Sequence, residues 1–101
     1  MAENRIFTVK GGVYVPKAIS NTALTFADFG TVPGGVLKAI LTIETASVRY
    51  TVDGSTTPTA ANGHLVASGG TITLTEPEEV KNFKVIRATG SDAAGVVTYY
   101  G

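Results

Sequence analysis

His64 is the only imidazole in the chain, set between Asn62-Gly63 and Leu65-Val66. A histidine can activate a serine nucleophile, but that chemistry needs the serine on a tight turn with donors for the oxyanion. No Gly-x-Ser-x-Gly sequence occurs, so His64 is expected to be a hydrogen-bonded strand-edge residue. The run Asp53-Gly54-Ser55-Thr56-Thr57 carries side-chain oxygens at alternating positions, as a calcium loop does. Calcium takes about six to eight oxygens, usually several from carboxylates. This run offers a single carboxylate and reads instead as a turn, with Asp53 accepting from backbone amides and Gly54 at positive φ. Glu76, Glu78 and Glu79 make the one acidic cluster. Carboxylates that cleave a glycoside face each other across the substrate. These three line one turn, and are expected to form a solvated face paired with Lys81 and Lys84. The pairs Gly11-Gly12, Gly34-Gly35 and Gly69-Gly70 lack the form of a phosphate loop and read as turns. The expectation is no catalysis, no cofactor and no metal.

Composition supports that exclusion. The 101 residues carry 8 basic and 8 acidic side chains, for a net charge of zero, with no Cys and no Trp. A disulfide framework, a thiolate zinc site and a cysteine nucleophile are excluded. Balanced charge argues against a basic nucleic-acid footprint and a polybasic membrane patch. Neither a signal peptide nor a run of 18 apolar residues is present. Hydrophobic residues make up 44% and charged residues 16%, which is a folding composition rather than a disordered one.

Positioning falls to strands. Fifteen threonines, twelve valines and six isoleucines place about a third of the chain in β-branched residues, which favour a pleated backbone. Residues 47–53 alternate strictly, with Val48, Tyr50 and Val52 on one face. Residues 71–76 repeat the pattern with Ile72 and Leu74 inward, and 96–100 close the chain as a strand apolar on both faces. Residues 36–44 fit strand and helix spacing alike, and their β-branched content favours a strand. In 82–89, Phe83 and Val85 share one parity and Ile86 and Ala88 the other, so a β-bulge near Val85 and Ile86 is expected. Residues 5–9 and 12–15 read as short strands joined by a turn at 10–12, and 22–26 as a weaker strand. Thr75-Glu76-Pro77-Glu78 is a helix start of one turn at most. Glycines and prolines fall between the apolar runs, and the small polar loop 54–63 is expected to be the flexible tip. The expected fold is all-β: a single antiparallel β-sandwich over 1–101, Ig-like or jelly-roll-like, of seven to eight short strands. Residues 1–9 would form an N-terminal arm or edge strand.

The aromatic residues are the remaining feature. Most should fill the core, but Tyr99 and Tyr100 are adjacent and must point to opposite faces of a strand, so one lies outside. An exposed terminal tyrosine suits a protein interface. The segments 5–9 and 26–32 carry apolar residues without a clear core phase, and with the terminal tyrosines they give the candidate interface: Arg5, Phe7, Phe26, Phe29, Tyr99 and Tyr100.

Two resemblances rest on quoted residues. Arg49-Tyr50-Thr51-Val52-Asp53-Gly54-Ser55, then Pro58-Thr59 and Gly70-Thr71-Ile72-Thr73-Leu74, is similar to chitobiase/β-hexosaminidase C-terminal-type modules. Those are small β-sandwiches appended to carbohydrate-active enzymes. The second covers residues 48–100. A Tyr-Thr-x-Asp-Gly hairpin, Gly63-His64-Leu65, the strand at 71–74, Asn82-Phe83-Lys84-Val85-Ile86-Arg87-Ala88 and Val97-Thr98-Tyr99-Tyr100 occur in that order. That order resembles small virion structural proteins of tailed bacteriophages, capsid decoration (cement) proteins among them.

The virion resemblance implies a non-enzymatic protein of the particle, synthesised in the bacterial host cytoplasm, that binds and stabilises the assembled head. Its partners would be the major capsid protein or other virion proteins, and further copies of itself as a homo-oligomer, with a trimer expected. Neither nucleic acid nor membrane is an expected partner. A tail- or fibre-attachment component and a small carbohydrate-binding module are the alternatives. The module reading is weakened by the absence of Trp and of any enzyme on a chain that begins at Met1 and reads as complete.

Overall fold

A computed structural model describes residues 7–101. The elements run β1 (Val9–Ile19), α1 (Phe26–Phe29), β2 (Lys38–Glu44), β3 (Val48–Thr51), β4 (His64–Val66), β5 (Thr71–Leu74), α2 (Pro77–Asn82), β6 (Lys84–Arg87) and β7 (Ala93–Tyr100). They form two antiparallel sheets, ordered β1-β7-β2-β5 and β4-β3-β6. The architecture is an all-β sandwich.

Alternation decides which side chains meet between the sheets. Ala39, Leu41 and Ile43 of β2, Ile72 and Leu74 of β5, and Val97 and Tyr99 of β7 face inward from the four-stranded sheet. Val48 of β3 and Val85 of β6 face them from the other sheet. The helices supply Phe26, Phe29 and Val80, and Phe83 follows α2 directly. Burying such side chains stabilises the fold by about 1.5–3 kcal/mol each.

The connection after β1 changes sheets. Leu24 exchanges backbone hydrogen bonds with Val85 at 2.8 and 2.9 Å, and the Arg87 amide donates to the Ser20 carbonyl at 3.0 Å. The segment at 20–24 thus leaves the four-stranded sheet and covers the outer edge of β6. Residues 22–26 hold one bridge at Leu24 rather than a strand.

Several expectations are corrected. The two short strands at 5–9 and 12–15 are, within the described residues, one eleven-residue strand β1. Gly11 and Gly12 are part of it rather than a turn, and Gly95 is inside β7. At Gly12 an added Cβ would lie 2.6 Å from the Val97 carbonyl oxygen and 2.7 Å from the Tyr14 ring, so only glycine fits. No bulge occurs at Val85 and Ile86, because β6 pairs with β3 in unbroken register from Lys84 to Arg87. The alternation is regular: Phe83 and Val85 are buried, while Ile86 and Ala88 lie on the opposite face and are only half-buried. Two helices form instead of one turn: α2 is six residues long, and α1 was not anticipated. At α1, the Thr25 amide donates to Asp28 Oδ2 at 2.8 Å and closes the first turn.

Candidate functional site

Among the described residues, His64, Asp53 and the glutamates of α2 are held in separate local arrangements. His64, on β4, and Asp53 line one open groove of about 340 Å³ with Thr51, Val52, Thr56 and Gly63. Asp53 is already engaged: Oδ1 accepts from the amides of Ser55 (3.1 Å) and Thr56 (2.8 Å), and Oδ2 from the Thr56 hydroxyl (2.7 Å). These bonds, the Thr56 hydroxyl foremost, hold its carboxyl down at about 2. With Gly54 at φ 78°, the segment is the turn that the residue types indicated. His64 packs against the Tyr50 ring at 5.2 Å and has neither nucleophile nor carboxylate bonded to it. Among the described residues, no three His, Cys, Asp or Glu side chains converge as a metal site would require.

The acidic cluster is local as well. Glu76 occupies the N-cap position of α2 without a capping side-chain bond, Glu78 and Glu79 lie in its first turn, and Glu79 Oε1 accepts from the Thr75 amide at 3.0 Å. Carboxylates there complement the positive end of a helix. The expected pairs with Lys81 and Lys84 do not form; the ion pair among the described residues joins Arg87 to Asp92. Loop 54–63, the expected flexible tip, is tied down by Arg49, whose Nε and Nη1 donate to the carbonyls of Ala60 and Gly63 at 2.9 Å each.

A groove of about 410 Å³ lies between the helices, walled by Phe26, Val32, Pro33, Val36, Pro77 and Val80, with Lys81 its only ionisable side chain. A second trough of about 560 Å³ runs past Asn21, Thr59, Ile86 and Arg87. The first is walled mainly by apolar side chains, and in the second the Arg87 guanidinium is already paired with Asp92.

The exposed apolar residues gather elsewhere. Val9, Tyr14 and Val15 on β1 are 57%, 61% and 80% exposed, on a strand that is the edge of its sheet. Between Val13 and Lys17, β1 has three residues where β7 has one, Val96, between Val97 and Gly95. Tyr14, Val15 and Pro16 therefore protrude as a bulge with no ladder partner. Tyr14 folds back over Gly12, and its hydroxyl accepts from Thr98 Oγ1 at 3.4 Å.

The candidate interface divides by depth. Tyr99 is buried and Tyr100 half-buried, on opposite faces as adjacency requires. Tyr100 and Phe7 flank the ammonium of Lys38, whose Nζ stands 5.6 and 5.5 Å from their ring centroids. Phe26 and Phe29 are corrected: both are core residues, with Phe26 stacked on Phe83 and edge-on to Tyr99. Their i, i+3 spacing on α1 puts both on its inner face. Arg5 lies outside the described residues. Val15, the most exposed of the large apolar residues, was missed because the bulge that displays it has no sequence signature beyond Pro16.

Comparison with protein-family models, with curated proteins and with solved structures finds no match to this chain.

Proposed function

We propose that this chain is a structural docking protein of a tailed-phage particle, a decoration protein that binds assembled capsid subunits and reinforces the head. The virion resemblance of residues 48–100 supports the particle, and the Tyr14-Val15-Pro16 bulge supports the docking. Proline and a bulge on an edge strand block addition of a further strand. The edge therefore offers apolar side chains rather than a ladder, and a partner would receive Val15 and Pro16 in a pocket. A ligand that binds the assembled lattice but not loose subunits stabilises the lattice by mass action.

The observation that carries this reading is Val15, at 80% exposure on a protruding edge. The test is co-sedimentation of purified protein with heads that lack it, alongside the Val15→Lys variant. Wild-type protein should saturate many sites and raise the melting temperature of the shell, and the variant should bind at least about tenfold more weakly. Equal binding by the variant overturns the bulge as the docking element. Binding confined to a unique vertex at low copy number would assign the protein to tail attachment instead.

A further inference from the structure

We infer that the outer face of the four-stranded sheet pairs with the same face of a second copy, strands antiparallel, to form a reversible two-fold dimer. Residues directly opposite on neighbouring strands share a face, which places Lys38 beside Tyr100, Ile40 beside Thr98, Thr42 beside Val96 and Glu44 beside Ala94. Thr71 and Thr73 of β5 continue this face. Ile40 and Val96 are half-buried, and neither packs against the core.

The charges on this face choose its occupant. Among the described residues it carries one cation and one anion, Lys38, flanked by the Phe7 and Tyr100 rings, and Glu44, at opposite ends of β2. Six residues of strand separate them by roughly 20 Å. A two-fold axis in the plane between two such sheets, perpendicular to the strands at the level of Leu41, sets each Lys38 against the Glu44 of the other copy. The alternative axis, along the strands, sets Lys38 against Lys38 and Glu44 against Glu44, which like-charge repulsion disfavours. Ile40 and Thr42 flank the chosen axis, so the uncharged middle of each face meets the other. Zero net charge leaves no long-range repulsion to resist the pairing.

Size sets the strength. Four strands about 4.8 Å apart and seven residues of about 3.3 Å give each face roughly 450 Å². The pair buries roughly 900 Å² in total, below the roughly 1,200 Å² of stable complexes. The dimer is therefore concentration-dependent.

Sedimentation equilibrium of the free protein from micromolar to millimolar concentration provides the test, using Lys38→Glu and Glu44→Lys. Wild type should pass from monomer to dimer across this range. Each variant alone faces like charges and should dimerise at least about tenfold more weakly. An equimolar mixture of the two should recover the dimer, because every facing pair is then opposite in sign. Thermal unfolding of each variant confirms folding. A wild type that stays monomeric, or a mixture no more associated than its components, overturns the inference. The measured quantity is the mass of free protein, so the result is independent of head binding and of Val15.

Discussion

The rings of Phe26 and Phe83 stack at 4.4 Å, 14° from parallel, while the Tyr99 ring stands nearly perpendicular to Phe26 at 5.5 Å. Three separate parts of the chain meet there: α1, the residue after α2, and the four-stranded sheet. This aromatic cluster joins the sheet crossover to the core. Phe26→Ala should destabilise the protein by about 3–5 kcal/mol, read as a lower midpoint in urea unfolding. A loss under about 1 kcal/mol would mean that the cluster fills space without holding the layers together.

Tyr99 is buried with its hydroxyl unpartnered, and burial pushes that phenol from 10.0 up to about 12. Two results should follow. Tyr99→Phe removes a buried unpaired group and should raise stability by about 1 kcal/mol near neutral pH. The native protein also holds this proton more tightly than the unfolded chain, so its contribution is intact below pH 10 and declines as pH rises towards about 12. Denaturation curves of wild type and Tyr99→Phe should diverge over that window, with the variant less sensitive to alkali.

Asp53 titrates in the opposite sense. Its folded value of about 2 lies below the ordinary 3.8, so the stabilisation is present above 3.8 and disappears as pH falls to about 2. Asp53→Asn should melt below wild type at pH 5, with the gap narrowing towards pH 2. A gap constant with pH would show that the turn depends on the shape of the side chain rather than its charge.

Gly95 sits inside β7 where an added Cβ would lie 3.0 Å from Leu41, 3.1 Å from Phe29 and 3.3 Å from Ile19. Gly95→Val should therefore destabilise by about 1–3 kcal/mol despite the better strand propensity of valine. Calorimetry would detect this as a lower Tm; an unchanged Tm would mean that Phe29 can move aside.

Arg49 clasps the loop at 54–63 through two carbonyls. Arg49→Ala should release it, so a broad-specificity protease should cut within 54–63 faster than in wild type at equal global stability. Unchanged cleavage would mean that the Asp53 turn alone orders the loop.

The sequence makes β3, β5 and β7 readable because one face of each is buried, and period-two alternation records that burial. It conceals β1 for a physical reason: Gly12 lies within the strand where Tyr14 and the Val97 carbonyl occupy the space a side chain would need, and Gly11 holds a φ of 147°. A contact made by distant chain leaves no local trace at the glycine. Thr25 and Asp28 did carry a readable helix start, but four residues give too short an apolar period to register. The candidate interface was legible only through the opposition of Tyr99 and Tyr100. Which aromatics are buried depended on α1, and Phe26 and Phe29 moved to the core with it.

The Leu24–Val85 bridge covers the β6 edge, and β4 on the far side of that sheet is three residues long. The smaller sheet thus presents little bare backbone on which another chain could assemble. On the larger sheet, the Tyr14-Val15-Pro16 bulge interrupts β1, which among the described residues leaves the outer edge of β5 as the uninterrupted one. Among the described residues, fibril growth templated by folded protein would start most readily at Thr71–Leu74.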